Sequence, residues 1–347
     1  GFGPGTAMKL KRATIRGVES RGMLCSEREM GLSDQHEGII ELADDAPVGQ
    51  PFAAVMGLDD PVIDVAITPN RQDCLGVRGI ARDMAAALPA SLTPLDVAPV
   101  PGNFPSPIAV RLDFPTDAKD ACPHFVGRYI RGVKNGSSPQ WVQDRLRAVG
   151  LRPISALVDV TNLLTLDRAR PLHVFDADKL TGAIVPRLAT SGEVLDALDG
   201  ESYTLDGTMT VIADEARALA LGGIIGGNYS GCADGTVNVF VESAWFDPVR
   251  TAATGRKLGI DSDARYRFER GVDPDGAVSG MEFATRLIVE FCGGEPSELV
   301  IAGAAPDWQK MVELHPDRVR TLGGLDLPEP DITNTLQSLG FGVEPVG

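Results

Sequence analysis

A proline-rich stretch without hydrophobic periodicity, residues 89–107, divides the sequence into two parts. It reads PASLTPLDVAPVPGNFPSP. Proline lacks the amide hydrogen that helices and inner strands need, so a regular element is not expected here. Any fold must therefore place separate hydrogen-bonded structures before and after this linker. With 347 residues, the chain is long enough for two or three domains.

Short runs with strand propensity precede the linker. Residues 8–56 contain KLKRATIRGV, GMLCS, GIIEL and PFAAVMG, separated by Gly and Asp turns, which predicts a small barrel or sandwich. VIDVAITPNR then predicts a buried strand and a turn. A helix is expected over 75–88, with Asp73 as its N-cap.

Strands and helices alternate irregularly after the linker. IAVRLDF and HFVGRYIRGV predict strands, GMEFATRLIVEFCGG predicts a helix that ends on paired glycines, and PDITNTLQSLGFGV predicts a further helix–strand element. This mixture favours an α+β multidomain architecture. The sequence starts with GFGPGT and not with Met, so we expect a segment of a longer chain.

The net charge of −16 argues against nonspecific coating of nucleic acid. Two clusters of basic residues are exceptions to the negative net charge. On charge alone, each is as well explained by a solvent-exposed face as by a binding surface. The first comprises Lys9, Lys11, Arg12, Arg16 and Arg21, and the second comprises Arg250, Arg256, Lys257, Arg265, Arg267 and Arg270. In the second, SDARYRFERG interleaves arginine with aromatic residues, as in a nucleic-acid surface or an amphipathic strand.

Cysteine usage and hydropathy restrict the compartment. The five cysteines are scattered without a CxxC spacing, so neither a zinc site nor a disulfide framework is expected. No apolar run approaches the roughly 20 residues that a membrane helix requires. We expect a cytoplasmic protein without a metal site and without a membrane partner.

The glycine-rich run LALGGIIGGNYSG lacks the spacing of the nucleotide-binding loops. Its glycines indicate instead a close approach of the backbone to another strand or to a ligand. The glycines concerned are Gly222, Gly223, Gly226 and Gly227.

Polar residues stand inside two otherwise apolar segments. RPISALVDVTNLLTLDRARPLHVFD carries Arg152, Thr161, Asn162 and His173, and a single histidine in such a setting is more often a core residue than a catalyst. Glu242 falls in the apolar strand VNVFVESAWFDP, where an ionised carboxylate costs several kcal/mol unless it is paired. Glu242 is therefore a ligand-binding group, a carboxyl with a raised pKa, or an ion-pair partner of an arginine such as Arg152 or Arg267.

Long strings in this sequence closely resemble the beta subunits of bacterial phenylalanine–tRNA synthetases. The strings are IRGVESRGMLCSEREMGLS, ITPNRQDCLGVRGIARDMAA, LRPISALVDVTNLL, RPLHVFD, VESAWFDPVRTAATGRKLGI, RFERGVDP and LGGLDLPEPDITNTLQSLGF. They cover nearly the whole chain in the family's order.

The resemblance implies a domain layout. Residues 1–60 would be the C-terminal part of an OB-fold tRNA-binding domain, and 61–105 a connecting strand–helix segment with the linker. Residues 106–305 would be a mixed α/β editing domain that hydrolyses tyrosine wrongly esterified to tRNA(Phe), and 306–347 the truncated start of a small helical nucleic-acid-binding-like domain.

The resemblance also implies partners and cofactors. The parent enzyme is an ATP- and Mg²⁺-dependent ligase with an alpha2-beta2 architecture, and its alpha subunit carries the synthetic site. The partners of this chain would be tRNA(Phe), contacted through the first basic cluster, and the alpha subunit. The chain itself would need no cofactor and would not aminoacylate.

Site residues follow from the same resemblance. Glu242 would recognise the phenolic hydroxyl in a pocket lined by Gly226, Ser262 and Ala264. The scissile ester and the terminal adenosine would be contacted by Arg152, Thr161, Asn162 and His173. TNLL and SDAR depart from the usual family pattern, which leaves the role of Arg265 open. The alternative function is a docking scaffold for tRNA or the alpha subunit without turnover.

Overall fold

The computed structural model describes residues 11–32, 35–88 and 90–344, which fall into two units, 1–61 and 62–347. The described residues of the first unit form β1 (Ala13–Ile15), β2 (Val18–Ser20), α1 (Glu27–Met30) and α2 (Phe52–Val55).

The first unit has less sheet than the sequence predicts. β1 and β2 pair as an antiparallel hairpin, whose turn places Arg16 and Gly17 at φ 50° and 83°. Between residues 11 and 61, outside 33 and 34, this is the one sheet, and no barrel is closed. PFAAVMG was predicted as a strand, but it contains the helix α2. Short apolar runs do not distinguish a strand from a helix by pattern alone.

The second unit contains the other elements. In its first part these are α3 (Val77–Ala87), β3 (His124–Arg131), α4 (Gln140–Ala148), α5 (Ala156–Arg168), β4 (His173–Asp176), β5 (Val185–Leu188), β6 (Val194–Asp196), β7 (Ser202–Thr204), β8 (Thr210–Ala213), β9 (Ala218–Leu221) and β10 (Ile225–Gly226). In its second part they are β11 (Asn238–Trp245), α6 (Pro248–Leu258), α7 (Asp263–Phe268), α8 (Gly276–Cys292), β12 (Glu295–Pro296), β13 (Val300–Gly303), α9 (Asp317–Thr321) and α10 (Glu329–Ser338).

Three sheets organise the second unit, and every strand pair in them is antiparallel. A five-stranded sheet has the order β12-β3-β11-β4, with β13 also paired to β3. A four-stranded sheet has the order β10-β9-β8-β5, and β6 pairs with β7. The architecture is therefore mixed α and β with several sheets, as predicted at that level.

The five-stranded sheet separates two apolar cores. One face packs against α5 and α8 through Val239 and Val241 of β11. The other face packs through Phe240 and Ala244 onto Ile212 of the four-stranded sheet and other residues of that cluster. Side chains alternate between faces along a strand, so neighbouring residues of β11 serve different cores. Each fully buried aliphatic side chain stabilises the fold by about 1.5–3 kcal/mol relative to its exposed state.

The proline-rich linker has no regular element in its described residues, as predicted, but side chains hold its backbone in place. Arg286 donates to the carbonyl of Ala98 at 2.9 Å, and Arg128 donates to that of Val100 at 2.8 Å. Arg128 is also paired with Glu282 at 2.9 Å, and Glu282 accepts from the amide of Val100. Since Arg128 and Glu282 are buried, this ion pair anchors the linker to the core.

Several local predictions were wrong, including the strand expected over IAVRLDF, where residues 108–114 form only isolated bridges. Residues 62–67 were expected to form a buried strand, but they form no strand, and Ile63 is 79% exposed. Asp73 does not cap α3, whose N-cap is Gly76, because its carboxylate is paired with Arg71 and Arg82. Within SDARYRFERG, for which an amphipathic strand was one of two interpretations, Asp263–Phe268 form the helix α7.

Two predicted helices near the end of the chain are confirmed, whereas the strand expected after the second does not form in residues 341–344. The helix predicted over GMEFATRLIVEFCGG is α8, and the helix predicted in PDITNTLQSLGFGV is α10. In the part of the chain that the structure describes, no helix combines the length and apolar character required to cross a bilayer.

Candidate functional site

Glu242 and His173 lie directly opposite each other on β11 and β4. Opposed residues in an antiparallel pair project from the same face, with Cβ atoms about 4.5–5.5 Å apart. On the other side of β11, the residue opposite Glu242 is Gly127 of β3, and the ring of Phe240 occupies the space above that glycine. The face that carries Phe240 therefore also carries the carboxyl and the imidazole.

Glu242 is a buried carboxyl without a cation. It is 5% exposed, and its Oε2 has no hydrogen-bond partner among the described residues. Arg267, one suggested partner, is bonded to Asp263 and to the carbonyl of Leu75, and Arg152, the other, is exposed. Burial raises the pKa of Glu242 from 4.5 to about 8, which makes the protonated form dominant at neutral pH.

His173 is a neutral imidazole with a free ring nitrogen. Its Nε2 is buried and has no hydrogen-bond partner among the described residues. The ring packs edge-on against Phe175, with 4.4 Å between the ring centres. Burial lowers the pKa of His173 from 6.5 to about 4, so the imidazole accepts or donates a hydrogen bond at neutral pH without carrying charge.

Gly226 lies against the imidazole. A Cβ at this position would lie 2.4 Å from Cε1 and 3.0 Å from Nε2 of His173, so a larger residue would displace the ring. Gly222 and Gly223 are similarly tight against the rings of Phe246 and Phe268. The close approach that the glycine-rich run predicted is therefore an approach to core side chains and to His173, and at Gly227 to the backbone of Leu219 in β9.

Ser262 and Ala264 belong to the same region. Ser262 caps α7, and its hydroxyl donates to the carbonyl of Ile224, two residues before Gly226, at 2.7 Å. Ala264 packs against the aromatic cluster that lies between the two larger sheets. The structure thus brings together the strand and loop segments that carry four predicted positions: Gly226, Glu242, Ser262 and Ala264.

Of the other predicted residues, Thr161 and Asn162 lie in α5 on the helical side of the sheet, and Arg152 lies in the loop before α5. α5 packs its apolar residues on the face opposite to that of Glu242. The hydroxyl of Thr161 donates to the carbonyl of Val158 within the same helix at 2.7 Å, Asn162 is half-buried, and Arg152 is exposed. In the described chain, no hydrogen bond joins these three residues to His173 or Glu242.

The first basic cluster is exposed where the structure describes it. Lys9 lies outside the described residues, while Lys11, Arg12, Arg16 and Arg21 are exposed. Arg12 and Arg21 share Glu19 as an ionic neighbour, at 3.9 and 3.1 Å.

Arg265 and most of the second basic cluster have internal partners. Arg265 pairs with Glu269 at 3.0 Å, donates to the carbonyl of Ile260, and leaves no space for a side chain at Gly255. These contacts tie α7 to the end of α6. These contacts give Arg265, whose role the resemblance left open, a part in holding the two helices together.

The glycine-rich run and one acidic cluster of the described residues have their polar groups occupied by contacts within the chain. The amides of the glycine-rich run bond to the chain itself: that of Gly222 to Thr210, and that of Gly227 to Leu219. Asp73, Cys74 and Asp83 form a cluster with metal-ligand spacing, but Arg71 and Arg82 pair with both of its carboxylates. These carboxylates are thus already neutralised.

Leu198 was missed by sequence reasoning. It lies in the turn between β6 and β7, and its Cδ1 is 2.9 Å from the position where a Cβ at Gly226 would stand. A leucine in an acidic turn gives no signal of a site, because the contact depends on the pairing of two hairpins distant in sequence.

Comparisons with known proteins identify a domain family and several relatives. Residues 121–293 match the model of the B3/4 domain family. The phenylalanine–tRNA ligase beta subunit of Rhodospirillum rubrum is 59% identical over 345 residues, which are 99% of this chain and 43% of that protein. Its counterpart from Paramagnetospirillum magneticum is 57% identical, over 98% of this chain and 42% of that protein.

A solved structure is also similar in part. It is an N-terminal fragment of the phenylalanyl-tRNA synthetase beta subunit from Pyrococcus horikoshii, 19% identical, with a TM-score of 0.37 over 81% of this chain and 77% of that one. A likeness of this size carries no argument about the site.

Residues 121–293 thus form a domain of the B3/4 class, which contains β3, β11 and the pair Glu242–His173. Over 98–99% of its length the chain matches a segment of these two phenylalanine–tRNA ligase beta subunits, and it spans 42–43% of their length.

Proposed function

We propose that residues 106–305 are the editing domain of a phenylalanine–tRNA ligase and hydrolyse tyrosine esterified to tRNA(Phe). The observation that carries the proposal is a pair of buried polar atoms on one face of one sheet, Oε2 of Glu242 and Nε2 of His173, neither of which has a partner among the described residues. Buried polar groups are almost always bonded, so two unbonded neighbours favour a substrate that bonds them.

The chemistry of the substrates explains why such a pocket is needed. A synthetic pocket shaped for phenylalanine is apolar, and an apolar pocket rejects an added hydroxyl by only about 100-fold. A second pocket with a buried polar group can do the opposite. It favours tyrosine, because phenylalanine would leave that group unpaired at a cost of about 1–3 kcal/mol.

Glu242 is assigned the recognition of the phenol. Its protonated carboxyl offers one donor and one acceptor, and a phenolic hydroxyl complements both. The apolar walls supplied by Phe240 and Ala264 fit an aromatic ring. Gly226 and Ser262 belong to the opposite wall, where the backbone approaches closely.

His173 is assigned the ester end of the substrate. An aminoacyl ester is already activated, so positioning of a water molecule and of the ester supplies the help that hydrolysis needs. The neutral Nε2 of His173 accepts from that water or from a ribose hydroxyl. Its role is to orient, and no covalent intermediate is invoked.

Arg152, Thr161 and Asn162 are assigned to the 3′-terminal nucleotides. The exposed guanidinium of Arg152 supports a phosphate contact. α5 and Glu242 lie on opposite faces of the five-stranded sheet. This supports binding of the amino acid at the face that carries Glu242 and of the RNA on the side that carries α5.

The remaining parts of the chain are assigned as the family suggests. Residues 1–60 would belong to an OB-fold that binds tRNA(Phe) through the exposed cluster Lys11–Arg21, and 306–347 would open a small helical nucleic-acid-binding-like domain. Residues 61–105 connect the first two domains. The whole enzyme would pair this subunit with an alpha subunit in an alpha2-beta2 assembly in the cytoplasm, using ATP and Mg²⁺ at a site outside this chain.

Hydrolysis of preformed esters tests the proposal. Tyr-tRNA(Phe) and Phe-tRNA(Phe) are incubated with the chain, and separately with the complete alpha–beta enzyme, and ester loss is followed. We expect faster loss of the tyrosyl ester than in buffer and little effect on the phenylalanyl ester. If neither preparation accelerates loss of the tyrosyl ester, the domain is a docking scaffold and the proposal fails.

A further inference from the structure

Leu198 stands between solvent and the imidazole of His173. Its Cδ1 and the Nε2 of His173 lie 2.9 and 3.0 Å from the same point, the position of a Cβ at Gly226. Its Cδ2 lies 3.4 Å from the corresponding point at Gly231. One leucine side chain therefore lies over both glycines beside the ring.

The exposure of the neighbours shows which side faces water. Leu198 is 53% exposed, whereas Leu195, which contacts Gly227, is 3% exposed, and Phe175, which packs on the imidazole, is 0% exposed. A path from solvent to Nε2 of His173 at this edge therefore runs past Leu198. Removing or moving this side chain would uncover Nε2, the buried atom of an otherwise half-buried residue.

The turn that carries Leu198 is largely bonded to itself. The amide of Ala197 donates to the carbonyl of Glu201, and that of Gly200 donates to the carbonyl of Ala197. The hydroxyl of Tyr203 donates to Asp199 at 2.7 Å. These bonds allow the turn to keep its shape while its position changes.

Few bonds join this turn to the strand beneath it. The amide of Leu198 donates to the carbonyl of Gly226 at 3.0 Å, and the amide of Asn228 donates to the carbonyl of Asp196 at 2.8 Å. Both are backbone bonds at the rim of the sheet, and water can replace their partners when the turn lifts. Since a hydrogen bond that water can replace contributes little net free energy, these two bonds do not hold the turn rigidly on the strand.

We propose that Leu198 gates the pocket of Glu242 and His173: the turn between β6 and β7 lifts, or the leucine changes rotamer, to admit the aminoacyl group, and closes behind it. The chemical identity of the guest rests on the proposed function, whereas the gate itself rests on geometry. Closing would exclude bulk water from the ester and would narrow the pocket around the aromatic ring.

Carbethoxylation of histidines by diethyl pyrocarbonate tests the gate without any substrate. The reagent attacks neutral imidazole, and His173 is neutral at neutral pH, so its rate reports access. Peptide mass spectrometry separates His173 from two internal references, the exposed His315 and the buried His124. The variants are Leu198→Ala and Val194→Ala, the latter removing an exposed apolar side chain from the same hairpin.

We expect Leu198→Ala to raise the labelling rate of His173 several-fold, with His315 and His124 unchanged, and Val194→Ala to leave all three unchanged. Equal labelling of His173 in wild type and Leu198→Ala overturns the gate. If Leu198→Ala misfolds, His124 is labelled as well, and Leu198→Trp then decides, because a larger cover must slow His173.

Ester hydrolysis separates the gate from the proposed function. In Leu198→Ala the looser pocket should hydrolyse Phe-tRNA(Phe) faster relative to Tyr-tRNA(Phe) than wild type does. Changed labelling together with no tyrosyl hydrolysis by the wild-type chain or enzyme supports the gate and contradicts the function. Unchanged labelling of His173 in Leu198→Ala, together with tyrosyl-ester hydrolysis by the wild type, contradicts the gate and supports the function.

Discussion

Glu242 and His173 are cross-strand neighbours in β11 and β4, and each has a buried polar atom with no partner among the described residues. Burial shifts both groups toward their neutral forms, raising the pKa of Glu242 to about 8 and lowering that of His173 to about 4. At neutral pH Glu242 therefore keeps its proton and His173 does not take one up. The fold stabilises neither the carboxylate of Glu242 nor the imidazolium of His173. Such a pair is a cost to the fold, and a ligand that bonds both groups removes part of it.

Glu242→Gln should stabilise the domain at neutral and alkaline pH. In the unfolded chain the carboxyl ionises near 4.5, whereas in the folded domain it ionises near 8. Wild-type stability therefore falls as pH rises between these values and levels off above them, with a penalty on the order of 3 kcal/mol at neutral pH. Urea unfolding across this range should show the slope in wild type and not in Glu242→Gln. Parallel pH profiles for the two proteins would show that the carboxyl is not buried in this way.

His173→Asn should remove a loss of stability at acidic pH. The imidazole takes up a proton near pH 6.5 in the unfolded chain but only near pH 4 in the folded domain. The free energy of unfolding of the wild type therefore decreases, through this imidazole, as the pH drops from 6.5 to 4. NMR titration of the His173 ring checks the cause directly, and a titration midpoint near 6.5 in the folded protein would refute it.

Gly226→Ala should reduce both stability and tyrosyl-ester hydrolysis. The new methyl group would stand 2.4 Å from Cε1 of His173, so the ring or the strand must move, at a cost of about 1–3 kcal/mol. Gly235→Ala is the matched control, because a Cβ there meets nothing within 4 Å. Thermal unfolding and hydrolysis of Tyr-tRNA(Phe) are measured for both variants. Equal effects of the two substitutions would contradict the contact.

The buried pair Arg128–Glu282 should hold the linker to the core. Breaking it by Arg128→Met leaves Glu282 without a cation and should cost about 3–5 kcal/mol, whereas Arg128→Met with Glu282→Leu should cost less. The linker should also become sensitive to protease near Val100 in the single variant, since the bond from Arg128 to the carbonyl of Val100 is lost and Glu282, which accepts from the amide of Val100, loses its cation. Arg131→Met, which breaks an exposed pair with Glu295, serves as the control. Linker cleavage at the wild-type rate in Arg128→Met would argue against the anchor.

The sequence predicted the elements that have strong local patterns. The apolar run around Glu242 is β11, and the periodic segment that ends on two glycines is α8. It also identified Glu242 and Gly226 as anomalous, because a carboxyl in a strand and a glycine run both require a special environment. These signals are carried by single segments, so they can be read without knowing the fold.

What the sequence did not predict depends on distant pairing. The register that places His173 opposite Glu242, and the turn that brings Leu198 onto Gly226, join segments far apart in the chain. Residues 62–67 have strand propensity but no neighbouring strand to pair with. Thr161 lies on the opposite side of the sheet because the helical period of α5 turns its apolar face to the sheet.

The ratio of kcat/KM for Tyr-tRNA(Phe) to that for Phe-tRNA(Phe), in wild type and Glu242→Ala, tests the central claim most directly. Glu295→Ala, a change at an exposed carboxylate on the same sheet, is the control. If the buried carboxyl reads the para-oxygen, Glu242→Ala should lower the ratio by about 10- to 100-fold through the tyrosyl rate, and Glu295→Ala should leave it unchanged. A ratio that stays at the wild-type value in Glu242→Ala would contradict the account.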